Sequence, residues 1–151
     1  MVSFSHSVSI GVSDSVFHAG GYREQFLCMA EMEERSMKIG FGCDHAAVEL
    51  KDALLEHLKE QGYECVDYGA HSPEDKVDYP VQGQKVAEAI VSGEIDRGVL
   101  VCGTGIGISL AANKVPGIRA AVCSEPYSAQ MSVRHNNANI IAMGARVVGT
   151  E

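Results

Sequence analysis

The pattern of hydrophobic and polar positions divides the chain at Met37. Residues 1–36 are rich in serine, and their apolar residues follow no steady period. A segment of this composition buries too little apolar surface to fold by itself, and it lacks the basic start and the continuous apolar stretch of a secretory signal. We predict a disordered, dispensable extension over residues 1–36, with a transit peptide as the alternative, and a folded domain over residues 37–151.

After Met37, short apolar runs alternate with segments in which apolar residues recur every three or four positions. The short runs are typical of buried strands, and the longer period is typical of amphipathic helices. Gly62 marks the end of the first helix, and Pro126 suits the first turn of the last one. The pattern predicts strands at residues 38–42, 64–68, 98–102, 118–123 and 139–143, with helices near residues 47–58, 81–90, 108–114 and 126–133.

This alternation of strands and helices predicts the fold class. A helix between two strands forms a βαβ unit, and the parallel strands of such units are covered by helices on both faces. The sequence therefore predicts one three-layer α/β/α domain around a five-stranded parallel, Rossmann-like sheet. Ligands bind such sheets at the carboxyl ends of the strands. These ends carry Asp44 and His45, the polar loop 69–79, a glycine-rich loop after Cys102, and Glu125.

Charge and composition exclude several classes of function. The 151 residues carry 12 basic and 20 acidic side chains, a net charge of −8, without the basic stripe that binds nucleic acid. No apolar run approaches the roughly 18 residues of a membrane span. The five cysteines form no CxxC pair, and the six histidines show no helical metal-ligand spacing. We therefore expect reduced thiols, a cytoplasmic location, no metal, and neither a nucleic-acid nor a membrane partner.

The segment after the third predicted strand is the most informative one. Cys102 ends that strand, and the run GTGIG at residues 103–107 leads into a helix. The GxGxG spacing fits neither a P-loop nor the GxGxxG dinucleotide fingerprint, although Glu125, about twenty residues on, keeps a nucleotide-binding module as an alternative. A cysteine at the end of an apolar strand is more often a packing residue than a reactive one. Asp44 and His45, taken alone, are equally consistent with capping the first helix.

Several long motifs together resemble one family. They are KIGFGCDHAA at residues 38–47, Asp78-Tyr79-Pro80, the run from Val101 to Ser132, RHNNANI at residues 134–140 and GARVVG at residues 144–149. In these motifs the sequence resembles the ribose-5-phosphate isomerase B family, within the group that includes galactose-6-phosphate isomerase. The resemblance extends over residues 37–151.

The resemblance implies a cofactor-independent aldose–ketose isomerisation of D-ribose 5-phosphate and D-ribulose 5-phosphate, a reaction of the pentose phosphate pathway. A proton moves between neighbouring carbons through an enediolate, which requires a base and donors for the transient oxyanion. By this resemblance Cys102 matches the family's base. A nearby helix N-terminus favours the thiolate form that such a base needs. Thr104 and the backbone amides of the glycine loop match the oxyanion site. The matching loop residues are Gly103, Gly105, Ile106 and Gly107.

The same residue-by-residue match assigns the rest of the site. Asp44 and His45 match substrate-binding positions, and Tyr79 matches a residue that lines the pocket. His135 matches the residue that opens the sugar ring. An imidazole suits this role because it takes and gives a proton near neutral pH. The remaining matches to binding positions are Asn136 and Arg146.

Two further expectations concern the partner and the end of the chain. Cys102 lies at the carboxyl edge of the sheet, whereas His135 follows a helix that runs back to the amino edge. Family members are dimers with interfacial sites, so we expect a homodimer, or a dimer of such dimers, in which each site combines Cys102 of one chain with His135 of the other.

The family pattern continues into a C-terminal helix and phosphate-binding arginines, whereas this sequence ends at Glu151, so we expect that helix to be missing. Two alternatives to the ribose 5-phosphate reaction remain, and only the first follows from the missing helix. One is a catalytically silent sugar-phosphate binder. The other is an isomerase of galactose 6-phosphate or allose 6-phosphate.

Overall fold

The computed structural model describes residues 36–148, so the extension predicted over residues 1–36 lies almost entirely outside the described residues. Within them, strands and helices alternate along the chain as the sequence pattern predicts. The elements are β1 (Lys38–Cys43), α1 (Val48–Glu60), β2 (Glu64–Asp67), α2 (Tyr79–Val91), β3 (Arg97–Cys102), α3 (Ile106–Ala112), β4 (Ala120–Val122), α4 (Pro126–Asn136) and β5 (Ile140–Gly144).

The five strands form one all-parallel sheet in the order β2-β1-β3-β5-β4. Leu100 of β3 packs among buried side chains of α2 and α3, whereas the next residue, Val101, packs among side chains of α1. Successive strand residues face opposite sides of a sheet, so α1 lies on one face and α2 and α3 lie on the other. The predicted three-layer α/β/α fold is confirmed.

Helix α4 lies on the same face as α1. Pro126 and Ala129 of α4 line a cavity together with Ile141 and Met143 of β5. Met143 pairs in register with Val101, and residues in register across parallel strands face the same side of the sheet. Among the described residues, two helices therefore cover each face of the sheet. None of these helices, in residues 36–148, is long and apolar enough to cross a membrane.

The boundaries of the predicted elements differ from the observed ones by a few residues, and one difference affects the site. We predicted that α4 ends near residue 133, but it extends to Asn136. Asn137 closes the helix with a left-handed φ of 51°, and its N–H donates to the carbonyl of Val133 at 3.1 Å. The last turn is polar, so it carries no apolar period. The prediction that His135 follows the helix was wrong, because His135 lies in its last turn.

Candidate active site

Cys102 is held in a fixed orientation at the carboxyl end of β3. Its side chain is 5% exposed, and the N–H of Gly105 donates to its Sγ at 3.1 Å. Its backbone is anchored as well, because the N–H of Ala145 donates to the Cys102 carbonyl at 2.8 Å. The sulfur therefore accepts a hydrogen bond from the backbone of the glycine loop.

Cys43 ends the neighbouring strand β1, but its chemistry is different. It packs with residues of α1, on the face opposite to the one that Cys102 faces. Its side chain is fully buried, and its Sγ donates to the carbonyl of Ala70 at 3.7 Å. Burial raises the pKa of Cys43 to about 11, against the smaller opposing effect of nearby Lys51. Cys43 therefore stays protonated at neutral pH, and its side chain lies on the face of the sheet opposite to that of Cys102.

The glycine loop after Cys102 is interlocked with the end of β5. Gly105 has a φ of +77°, and a β-carbon placed on it would lie 2.8 Å from the carbonyl carbon of Met143. In the other direction, a β-carbon on Gly144 would lie 2.7 Å from the carbonyl carbon of Thr104. Both glycines are therefore required for the close approach of two backbone segments, which fixes the amides of the loop relative to Cys102.

Gly105→Ala is expected to destabilise the domain more than Gly93→Ala. Both glycines have nearly the same positive φ, +77° and +78°, so both substitutions cost about 1–2 kcal/mol in backbone strain. Gly93 has open space around a new β-carbon, whereas the methyl group at Gly105 would clash with Met143. We expect an additional loss of about 1–3 kcal/mol for Gly105→Ala, measured by urea unfolding. An equal loss for the two variants would contradict the interlock.

Tyr79 forms one wall of the loop. It is the first residue of α2, it is 43% exposed, and a β-carbon on Gly107 would lie 2.7 Å from its ring. Gly107 belongs to α3, which begins two residues earlier than predicted because Gly105 in its left-handed conformation is the N-cap. The exposed Thr104 accepts the N–H of Ile106 at 3.3 Å. The glycine loop and the tyrosine ring are thus next to each other at the carboxyl edge of the sheet.

Asp44 and Arg146 lie at the ends of the strands on either side of β3. The buried carboxylate of Asp44 accepts the N–H of Ala46 at 3.0 Å, so it caps the turn before α1 rather than the helix itself. His45 beside it is exposed. The N–H of Arg146 donates to the Gly103 carbonyl at 3.1 Å, and its side chain passes 3.8 Å from the position of a β-carbon on Gly103. Asp44, His45 and Arg146 are thus at the same sheet edge as Cys102.

His135 and Asn136 are not at this edge within one chain. Helix α4 begins after β4 at the carboxyl edge and ends before β5 at the amino edge. At 1.5 Å per residue, its length carries His135 on the order of 14 Å from Pro126. Both side chains are exposed. No group of three or more His, Cys, Asp or Glu side chains in residues 36–148 is arranged as a metal site.

Two buried polar side chains near this edge were not identified as candidate site residues from the sequence. Lys51 is 1% exposed, and Gln82 is 3% exposed with an amide oxygen that has no hydrogen-bond partner among the described residues. A signal for Lys51 was available, because it lies four residues after Ala47 and three before Leu54, on the apolar face of its helix. A lysine at such a position requires buried partners.

The chain is similar to known proteins in sequence and in fold. A sequence profile described as Ribose/Galactose Isomerase matches residues 39–151. Ribose-5-phosphate isomerase B of Escherichia coli is 56% identical over 114 residues, 76% of this chain and 76% of that protein. D-erythrulose-4-phosphate isomerase of Pectobacterium atrosepticum is 44% identical over 115 residues, 76% of each chain. The solved structure of Clostridium thermocellum ribose-5-phosphate isomerase B matches with a TM-score of 0.74 and 60% identity over 76% of each chain.

The matched range includes the residues that lie together at the carboxyl edge of the sheet, among them Asp44, Tyr79, Cys102 and Arg146. The resemblance inferred from the sequence motifs is confirmed by these matches. The chain belongs to the Ribose/Galactose Isomerase family.

Proposed function

We propose that this protein is an aldose–ketose isomerase that interconverts D-ribose 5-phosphate and D-ribulose 5-phosphate without a cofactor. The observation that carries the proposal is the buried thiol of Cys102, which accepts the Gly105 N–H at 3.1 Å beside the glycine loop. The identity of 56% to a ribose-5-phosphate isomerase B supports the choice of substrate. A base that takes a proton from carbon benefits from a site that excludes bulk water.

Cys102 acts as the base in the first step and, as the thiol, as the acid in the second. Its thiolate removes the proton from carbon 2 of the open-chain aldose, and the electron pair of the broken C–H bond moves toward the carbonyl, which forms the enediolate. The thiol then returns the proton to carbon 1, while a proton passes from the oxygen of carbon 2 to the oxygen of carbon 1. The product is the ketose, the thiolate is regenerated, and no net oxidation occurs.

The glycine loop stabilises the negative charge that develops on the sugar oxygens. The Gly105 and Ile106 amides already donate to Cys102 and Thr104, so the donors for the enediolate are the amides of residues 103, 104 and 107 and the hydroxyl of Thr104. The interlock with β5 keeps these donors in place before the substrate binds. Asp44 accepts hydrogen bonds from sugar hydroxyls, and Tyr79 lines the pocket. His45 and Arg146, at the same edge, bind the anionic end of the substrate.

The site is completed by a second copy of the chain. His135, which opens the sugar ring, and Asn136, which orients hydroxyl groups, are exposed at the opposite edge of the sheet. Beside the glycine loop, Ile106 and Leu110 lie one turn apart on α3 and are 54% and 59% exposed. Exposed apolar residues grouped in this way suit a subunit interface. A second copy covering them brings its own His135 to Cys102.

Incubation with ribose 5-phosphate in heavy water tests the activity directly. We expect NMR to detect deuterium on the carbon next to the carbonyl, because the proton held by Cys102 exchanges with solvent before it is returned. A silent sugar-phosphate binder would leave the sugar protonated at that carbon, although titration with the sugar would still shift the protein signals. That outcome would contradict the proposed function.

Comparison of kcat/KM across sugar phosphates tests the substrate. The family includes a D-erythrulose-4-phosphate isomerase that is 44% identical to this chain, so the substrates to compare range from four to six carbons. We expect the highest kcat/KM for ribose 5-phosphate. A higher value for erythrulose 4-phosphate, galactose 6-phosphate or allose 6-phosphate would leave the proposed mechanism unchanged and assign that compound as the substrate instead.

A further inference from the structure

Lys51 is a buried cation that lies between the ends of two strands. It belongs to α1, and only 1% of it is exposed. Its Nζ donates to Asp67 Oδ2 at the end of β2, to Asp52 Oδ1 at 2.8 Å, and to the carbonyl of Ala70 at 3.2 Å. The ammonium group therefore donates hydrogen bonds to one exposed carboxylate, one half-buried carboxylate and one backbone carbonyl of the loop after β2.

The partners of Lys51 are joined to the end of β1. The N–H of Ala70 donates to the Cys43 carbonyl at 3.2 Å, and Asp67 accepts the N–H of Gly69 at 2.9 Å. A β-carbon on Gly69 would lie 2.7 Å from the backbone nitrogen of Cys43 and 3.3 Å from Lys51 Cδ. Lys51 thus connects α1, the loop after β2 and the last residue of β1 in one closely packed cluster.

Burial of this charge needs an explanation other than stability. Burial alone would lower the pKa of Lys51, but the hydrogen bonds to Asp52 and Asp67 outweigh it and raise the pKa, so the group stays charged. Buried ion pairs add little net stability compared with well-packed apolar side chains. Their directional hydrogen bonds do fix the relative positions of the segments they join, and here the residue directly after Cys43 is Asp44.

We propose that Lys51 is a positioning residue of the substrate site, and that its ammonium group holds the turn that carries Asp44 and His45 at the carboxyl edge of the sheet. Lys51 does not touch the reacting atoms, and it acts on binding through this turn. The inference rests on the proposed function, because it takes Asp44 and His45 as substrate-binding residues. It predicts an effect on KM rather than on the proton transfer by Cys102, which lies on the other face of the sheet.

Lys51→Met is expected to raise KM for ribose 5-phosphate by about tenfold or more and to change kcat by less than about threefold. Lys51→Met leaves the Asp67 carboxylate without the ammonium group that it binds. The double variant Lys51→Met/Asp67→Asn removes this carboxylate charge and is compared with the single variant. In the double variant, the amide oxygen at position 67 still accepts the Gly69 N–H. This variant should therefore regain stability without regaining the hydrogen bond to the Ala70 carbonyl. Lys51→Arg keeps the charge and is expected to recover part of the loss in KM.

Hydrogen–deuterium exchange of the protein without substrate provides a second readout. We expect faster exchange at the amides of Ala46, Ala47 and Ala70 in both methionine variants, and unchanged exchange at Gly105. Lys59→Met is the matched control, because Lys59 is an exposed lysine two turns further along α1. It should leave KM, kcat and exchange at these amides unchanged.

The outcomes separate this inference from the proposed function. If the parent protein isomerises no sugar phosphate, the proposed function fails, and the exchange measurement still decides the positioning role. If the parent is active, an unchanged KM or unchanged exchange at Ala46, Ala47 and Ala70 in a folded methionine variant would overturn the inference. Failure of both methionine variants to fold would overturn it as well, because Lys51 would then be a general requirement of the fold.

Discussion

Cys102→Ser is expected to slow deuterium incorporation into the sugar by at least about 10³-fold and to leave the melting temperature within a few degrees of the parent. Serine has nearly the same shape as cysteine, and the Gly105 N–H that donates to Sγ at 3.1 Å can donate to a hydroxyl oxygen instead. A hydroxyl loses its proton far less readily than a thiol, so the variant keeps the site and loses the base. NMR detection of exchange in heavy water measures the loss directly.

Cys65→Ser is the matched control for this substitution. Cys65 is a reduced, half-buried thiol near the start of β2, at the amino edge and remote from the glycine loop. The control should retain parental exchange, since the same chemical change is made away from the site. Activity of Cys102→Ser within about tenfold of the parent would remove Cys102 from the role of base.

A mixture of two inactive variants, Cys102→Ser and His135→Ala, is expected to recover activity. If each site combines Cys102 of one chain with His135 of the other, a mixed dimer contains one intact site and one site that lacks both groups. Random pairing of equal amounts makes half of the dimers mixed, so about a quarter of the parental sites are restored. Turnover of ribose 5-phosphate after subunit exchange measures the recovered fraction.

The recovery depends on exchange of subunits, which must be shown independently. Native mass spectrometry of chains with different isotope labels identifies the mixed dimers, and each variant incubated alone provides the baseline. Thr104→Ala mixed with Cys102→Ser is the matched control, because both groups are supplied to a site by the same chain and no intact site can form. Absence of recovery in the first mixture, with mixed dimers present, would place Cys102 and His135 in the same chain.

The fold class could be predicted from the sequence because it depends on local periods. Strand β3 is a run of apolar residues ending at Cys102, and α2 repeats its buried positions at Val86 and Ala89. These periods require neither distant contacts nor exact boundaries, so a parallel sheet covered on both faces follows from them. The boundaries depend on caps such as Asn137, whose left-handed conformation leaves no apolar signal.

The sequence by itself determined the chemistry available to the site: a thiol, a glycine loop, and the polar residues that end the neighbouring strands. Only the tertiary structure decided which groups can use that chemistry. It directs Cys102 to one face of the sheet and Cys43 to the other, where burial raises the pKa of Cys43 to about 11. It also buries Lys51 between the ends of two strands. Such differences arise from contacts between segments far apart in the chain, which local periodicity does not encode.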